Sequence, residues 1–114
     1  MNAETWSYDV TRTGQSATVA LSGEIEMSVS GEVLRVITAE LRRADTTTVR
    51  VDLSAVAFLG SAGMQALVEA RKLAVGRDQR FVVIGANGIP RQVLDVTGLL
   101  AYLQETCPPA GADD

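Results

Sequence analysis

The chain has 114 residues, 14 acidic against 10 basic side chains, a net charge of −4 and no histidine. That length holds one small domain with a single core, leaving about a third of the unfolded-state surface exposed. The acidic balance argues against a nucleic-acid binder, which needs a clustered basic face, and the missing imidazole excludes a Ser–His pair and a histidine metal site.

In chain order, Thr5 to Val10 alternates, with Trp6, Tyr8 and Val10 on one face of an expected strand. Thr13-Gly14-Gln15 reads as a turn and Ala17 to Leu21 as a second strand, so an N-terminal hairpin is predicted. Gly23-Glu24-Ile25-Glu26 reads as a polar turn after that strand. Ser28 to Glu32 looks like a helix entrance, with serine to cap free amides. Val33, Leu34, Ile37 and Leu41 then recur at helical spacing, which predicts a helix of about 12 residues.

Thr48 to Leu53 is a β-branched segment, expected as a central strand, followed by a short apolar connection. Gly63 to Val75 is the second expected helix, with Met64, Leu67, Val68 and Val75 as its buried stripe and Gly76 as its stop. Arg80 to Ile84 is a further strand; Pro90 to Gly98 is a third helix with Val93, Leu94 and Val96 as its apolar positions. Leu99 to Leu103 reads equally as a last strand or a short helix. The domain is expected over residues 1–107, and the Pro- and Asp-rich tail 108–114 is expected to be disordered. Strands alternating with helices behind a hairpin define an α/β fold: a mixed sheet of four to five strands with three to four helices.

Chemistry is sparse. The single cysteine, Cys107, permits no intramolecular disulfide. The glycines form neither a phosphate-binding loop nor a dinucleotide fingerprint, so no cofactor and no catalytic residue are expected. The N-terminus lacks the basic flank and apolar run of a signal peptide, and no stretch approaches the roughly 18 apolar residues of a membrane span. The expected location is the cytoplasm. Arg71, Lys72, Arg77 and Arg80 have two readings: a solvated helix end suited to the macrodipole, or a basic docking patch.

Ser61, between Gly60 and Ala62 at the start of the second helix, also has two readings. It is a good N-cap, and it is an accessible hydroxyl where a phosphate would be tolerated by free amides and the helix dipole.

VRVDLSAVAFLGSAGMQALVEA, from Val49 to Ala70, resembles the signature of STAS domains, in particular the bacterial anti-sigma factor antagonists. VALSGEIEMSVSGEVLRVI and RFVVIGANGIPRQVLDVTGLLAYL resemble the upstream turn and the downstream strand, loop and helix of the same family. The resemblance covers about residues 5 to 104. It implies a non-enzymatic module that binds an anti-sigma factor doubling as a serine kinase and thereby frees a sigma factor for transcription. The kinase, with its own ATP and Mg²⁺, would switch the antagonist off by phosphorylating it, and a serine phosphatase would reset it. Position by position, the acceptor falls on Ser61 and the motif glycine on Gly63, while the upstream turn falls on Gly23 to Glu26. The implied partner surface comprises Gly23, Glu24, Glu26 and Ser28 beside Gly60, Ser61, Ala62, Gly63 and Met64. Gly60 replaces the aspartate that usually precedes the acceptor, and Glu26 replaces an aspartate in the turn. A STAS subunit that is never phosphorylated, serving a signalling complex or a lipid-transport assembly, is the second reading. A small enzyme or nucleotide-binding protein is the third.

Overall fold

A computed structural model of the protein describes residues 6–104. The elements run β1 (Trp6–Thr13), β2 (Ser16–Ile25), α1 (Met27–Leu41), β3 (Thr48–Leu59), α2 (Ser61–Gly76), β4 (Arg80–Ile84), α3 (Gly88–Val96) and α4 (Leu99–Gln104). The sheet has four strands in the order β1-β2-β3-β4. The first ladder is antiparallel and the other two are parallel. The expected α/β fold with an N-terminal hairpin is therefore the observed one. Tail residues 108–114 and Cys107 lie outside the described residues.

The hairpin closes through Gly14, whose φ of 61° meets the positive-φ demand of a two-residue turn. Each parallel connection then carries a helix, as parallel strands require. Val19 and Leu21 of β2, Val49, Val51 and Leu53 of β3 and Phe81 and Val83 of β4 are buried beneath Val33, Ile37 and Leu41 of α1 and Leu67 of α2. Leu94 of α3 and Leu100 and Leu103 of α4 complete that one core, so the last segment is helix rather than strand.

Two strands outrun their expected ends. β2 continues through Gly23 and Glu24 to Ile25, so this stretch is strand and not a turn. β3 continues through Ala55 to Leu59, so the apolar connection is strand as well. The register explains why the pattern hid this. Between Ala20↔Asp52 and Ser22↔Ala55, and again between Gly23↔Val56 and Glu24↔Phe58, β3 advances one residue more than β2. Each extra residue is a bulge that breaks the alternation. Val56 and Leu59 thus both reach the core, three residues apart.

α1 begins at Met27 with Glu26 as N-cap, so Ser28 lies inside the first turn and caps nothing. In α2 the buried face is Met64, Ala66, Leu67, Ala70, Arg71 and Ala74, whereas Val75 is exposed and Val68 half-buried. Gly76 remains helical, and the chain turns at Asp78, whose φ is 60°. A short polar side chain tolerates that left-handed geometry. On α3, Val96 is exposed rather than apolar packing. Gly98, with φ 80°, ends the helix as expected.

Polar side chains fasten the end of the molecule where β3 and β4 begin. Gln79 is buried and its Nε2 donates to the carbonyls of Leu41 (2.6 Å) and Thr46 (2.8 Å), tying the start of β4 to the end of α1. Arg12 donates to Glu40 (2.6 Å), Asp45 (3.2 Å) and the Thr46 hydroxyl (2.9 Å), tying the hairpin to the same place. Arg71, expected at a solvated helix end or in a docking patch, is instead buried, its guanidinium 4.5 Å from the Tyr102 ring centroid. Cation–π contact and a buried stem favour that placement. Removing Gln79 strands two carbonyls at little gain elsewhere, so Gln79→Ala is expected to lower unfolding stability by about 1–3 kcal/mol. An unchanged urea midpoint would contradict that bridge.

Candidate functional site

The site forms where β2 and β3 end side by side, at Ile25↔Leu59. The Gly60 amide donates to the Ile25 carbonyl at 3.0 Å, so the chain leaves both strands at one point. Glu26 then caps α1 and Gly60 caps α2, both with extended backbone and neither with a side-chain cap hydrogen bond. Two helix N-termini therefore open at the same edge, each with first-turn amides that no side chain caps and a dipole favouring negative charge.

Gly63 sets the spacing. A Cβ there would lie 2.8 Å from Ile25 Cγ2, 2.9 Å from Leu59 Cδ1 and 3.2 Å from the Ile25 carbonyl oxygen. Only glycine lets the first turn of α2 rest directly on the two strand ends. Gly60 is different. Its φ is −83°, and the nearest atom to an added Cβ is on the Phe58 ring at 3.4 Å, so a side chain fits there without strain.

The two expected segments are thus brought together, but their members divide by burial. Glu24, Glu26, Ser28 and Ser61 are exposed; Gly23, Gly60 and Ala62 are half-buried. Gly63 and Met64 are buried and shape the site from beneath rather than presenting a surface, because the helix turn they occupy faces Ile25, Leu59 and the core. Ser61 is the first residue of α2, and the cap position is held by Gly60 instead. The cap reading of Ser61 is corrected accordingly.

Sequence reasoning passed over Met27 and Phe58. Met27 is 78% exposed at the start of α1, and Phe58 is 42% exposed beside Gly60. Met27 opens α1 and Phe58 nearly closes β3, so both lie at the ends of elements that meet at this edge. A methionine just outside an expected entrance and an aromatic within an apolar run were the available signals, but exposure is not written in either. Between α1 and α2 runs a groove of about 420 Å³ floored by Gly31, Leu34, Ala62 and Ala66.

Comparison with known proteins agrees with this geometry. A family model described as "Mlab, STAS domain" matches residues 8–105. The chain belongs to the STAS domain family. An anti-sigma-F factor antagonist, RsfB of Mycobacterium tuberculosis, is 30% identical over 83 residues, covering 73% of this chain and 66% of the relative. The match thus spans just under two thirds of that relative's length. The crystal structure of an anti-sigma factor antagonist from Mycobacterium paratuberculosis is similar with a TM-score of 0.74 at 28% identity, over 86% of this chain and 82% of that one. The unphosphorylated form of the antagonist SpoIIAA shares the fold, with a TM-score of 0.73 at 15% identity and 84% coverage of both chains. Among the described residues no helix is long and apolar enough to cross a membrane.

The geometry separates neighbouring substitutions by sign. Gly63→Ala forces backbone and side chains apart and is expected to cost about 1–3 kcal/mol. Gly60→Asp supplies the missing cap and is expected to stabilise by a few tenths of a kcal/mol, roughly the difference between Asp and Gly at that position. Ser61→Ala is expected to stay within about 0.5 kcal/mol of wild type. Urea unfolding of the three variants checks the order, and a Gly63→Ala protein as stable as Gly60→Asp would contradict it.

Proposed function

We propose that the protein is an anti-sigma factor antagonist: it binds an anti-sigma factor that is also a serine kinase, frees a sigma factor, and is switched off by phosphorylation of Ser61. The observation that carries the reading is exposed Ser61 at the first position of α2, at the edge where the strand ends Ile25 and Leu59 pair and both α1 and α2 begin. The relatives named anti-sigma factor antagonists support the general role. SpoIIAA, which shares the fold, is known in a phosphorylated as well as an unphosphorylated form. Protein chemistry agrees. A phosphate of about −1.5 to −2 charges at Ser61 meets free amides, so the domain tolerates it. The same charge would weaken a partner's contact at this edge, because an uncompensated charge buried at an interface costs several kcal/mol. A serine phosphatase would restore the hydroxyl.

A second reading keeps the same surface but leaves Ser61 unmodified, in a constitutive STAS subunit of a signalling or lipid-transport assembly. Gly60 favours it, since no carboxylate precedes the hydroxyl to orient it.

Binding to the cognate anti-sigma factor, measured by calorimetry, tests the switch. Ser61→Ala should bind as wild type does and resist dissociation by ATP. Ser61→Asp should fold normally and bind at least about tenfold more weakly, equivalent to about 1.4 kcal/mol. Equal affinities, together with no mass increase on incubation with kinase and ATP, would leave the constitutive reading in place of the switch.

A further inference from the structure

The sheet carries its helices on one face only. The opposite face presents two neighbouring rows, Thr11–Thr18–Arg50–Val82 and Asp9–Ala20–Asp52–Ile84, fixed by the registers of the three ladders. All eight side chains are half-buried or exposed, and none belongs to the core beneath the helices. Parallel ladders are normally covered on both faces, so an open one is unusual.

We propose that this face is a self-association surface, on which a second copy of the chain stacks sheet to sheet about a two-fold axis. The charge pattern selects the occupant and the axis. An axis lying across the strands, midway between the two rows, sets each row of one copy over the other row of its partner. Arg50 then faces Asp52, Val82 faces Ile84, Thr18 faces Ala20 and, at the rim, Thr11 faces Asp9, and every contact is made twice, as an isologous interface requires. Opposite charges meet at the centre, apolar side chains meet on the β4 side, and small side chains on the β2 side allow close approach. Aligned sheets with mean directions within about 30° accept this arrangement.

Polar groups on the face are partly satisfied within the chain. The hydroxyls of Ser7 and Ser22 hydrogen-bond each other at 2.5 Å. The Asp52 carboxylate accepts the Ser54 amide at 2.9 Å. Covering them therefore strips less water-bound polarity than the composition suggests.

Size decides the strength. Three strands over some eight residues and β4 over its five, at about 3.3 Å per residue and about 4.8 Å between strands, give roughly 450 Å² per copy. Both copies together bury about 900 Å², below the standard size of specific interfaces, so the dimer is weak and concentration-dependent. This face is remote in character from the edge that holds Ser61, and the inference stands whether or not that serine is modified.

Sedimentation equilibrium of the full chain from about 5 μM to about 1 mM tests it, in low salt and at about 0.5 M salt. The average mass should rise from 12.1 kDa towards twice that value. Added salt should shift the rise to higher concentration. Ala20→Arg, which adds bulk at the centre, and Arg50→Asp, which sets like charges together, should each move it at least about tenfold higher. Val96→Asp, on exposed α3, should leave it unchanged. Circular dichroism identifies any variant that fails to fold, and the salt dependence of wild type remains as an independent measure. A wild type that is monomeric throughout overturns the proposal. So does association that both open-face variants leave intact, which would point to the free edge of β1, or association that Val96→Asp abolishes.

Discussion

The site edge of the molecule hangs on one contact that admits no Cβ. Gly63 presses the first turn of α2 against Ile25 and Leu59, the last residues of two paired strands. Because Ile25 is followed at once by the cap of α1, and Leu59 by the cap of α2, that contact fixes both helix starts relative to the sheet. A methyl group there displaces side chains or backbone, and well-packed interiors yield little. Ser61 is two residues away, so its position is a consequence of packing beneath it. The exposed chemistry and the buried glycine are therefore one feature read from two sides.

Much of the fold was legible because hydrophobic period and punctuation agreed. Val33, Ile37 and Leu41 at helical spacing marked α1, Gly14 marked the hairpin turn, and Gly98 the end of α3. What escaped was irregular. Bulges in β3 place Val56 and Leu59 three residues apart on one face, so a strand looked like a connection. Ser28 looked like a cap because serine caps well, yet the helix starts earlier at a residue without a side-chain cap. Buried Arg71 and Gln79 were illegible for a deeper reason. Their placement depends on distant partners, Tyr102 for one and the carbonyls of Leu41 and Thr46 for the other. At the site, the pairing of the Gly23–Ser28 and Gly60–Met64 segments was legible from motif order. The exposure of Met27 and Phe58 was not, since it is a property of the assembled edge.

The electrostatics of that edge are balanced rather than one-sided. Two helix N-termini favour an anion there, each by about 0.3–1 kcal/mol when exposed. Glu24 and Glu26 are exposed nearby and oppose it. Unit charges about 4 Å apart repel by about 1 kcal/mol in water, and by less at greater distance in salt. The two effects are of similar size and opposite sign, so a phosphate at Ser61 would change folding stability little. Its influence would fall on whatever touches the edge.

Packing along α2 decides how such an influence spreads. Leu67, Ala70 and Ala74 are fully buried, Arg71 lies over Tyr102, and the Thr97 hydroxyl reaches Met64 Sδ at 3.8 Å. Burying one large apolar side chain stabilises by about 1.5–3 kcal/mol, and α2 buries several residues against one core. A surface charge worth about 1 kcal/mol cannot displace a helix held in that way. A modification at the first residue of α2 would therefore alter the exposed surface of this edge and leave the backbone beneath it unmoved. The rigid seat on Gly63 is what makes so local a change readable, because a partner shaped to this edge finds the same atoms in the same places except at one hydroxyl.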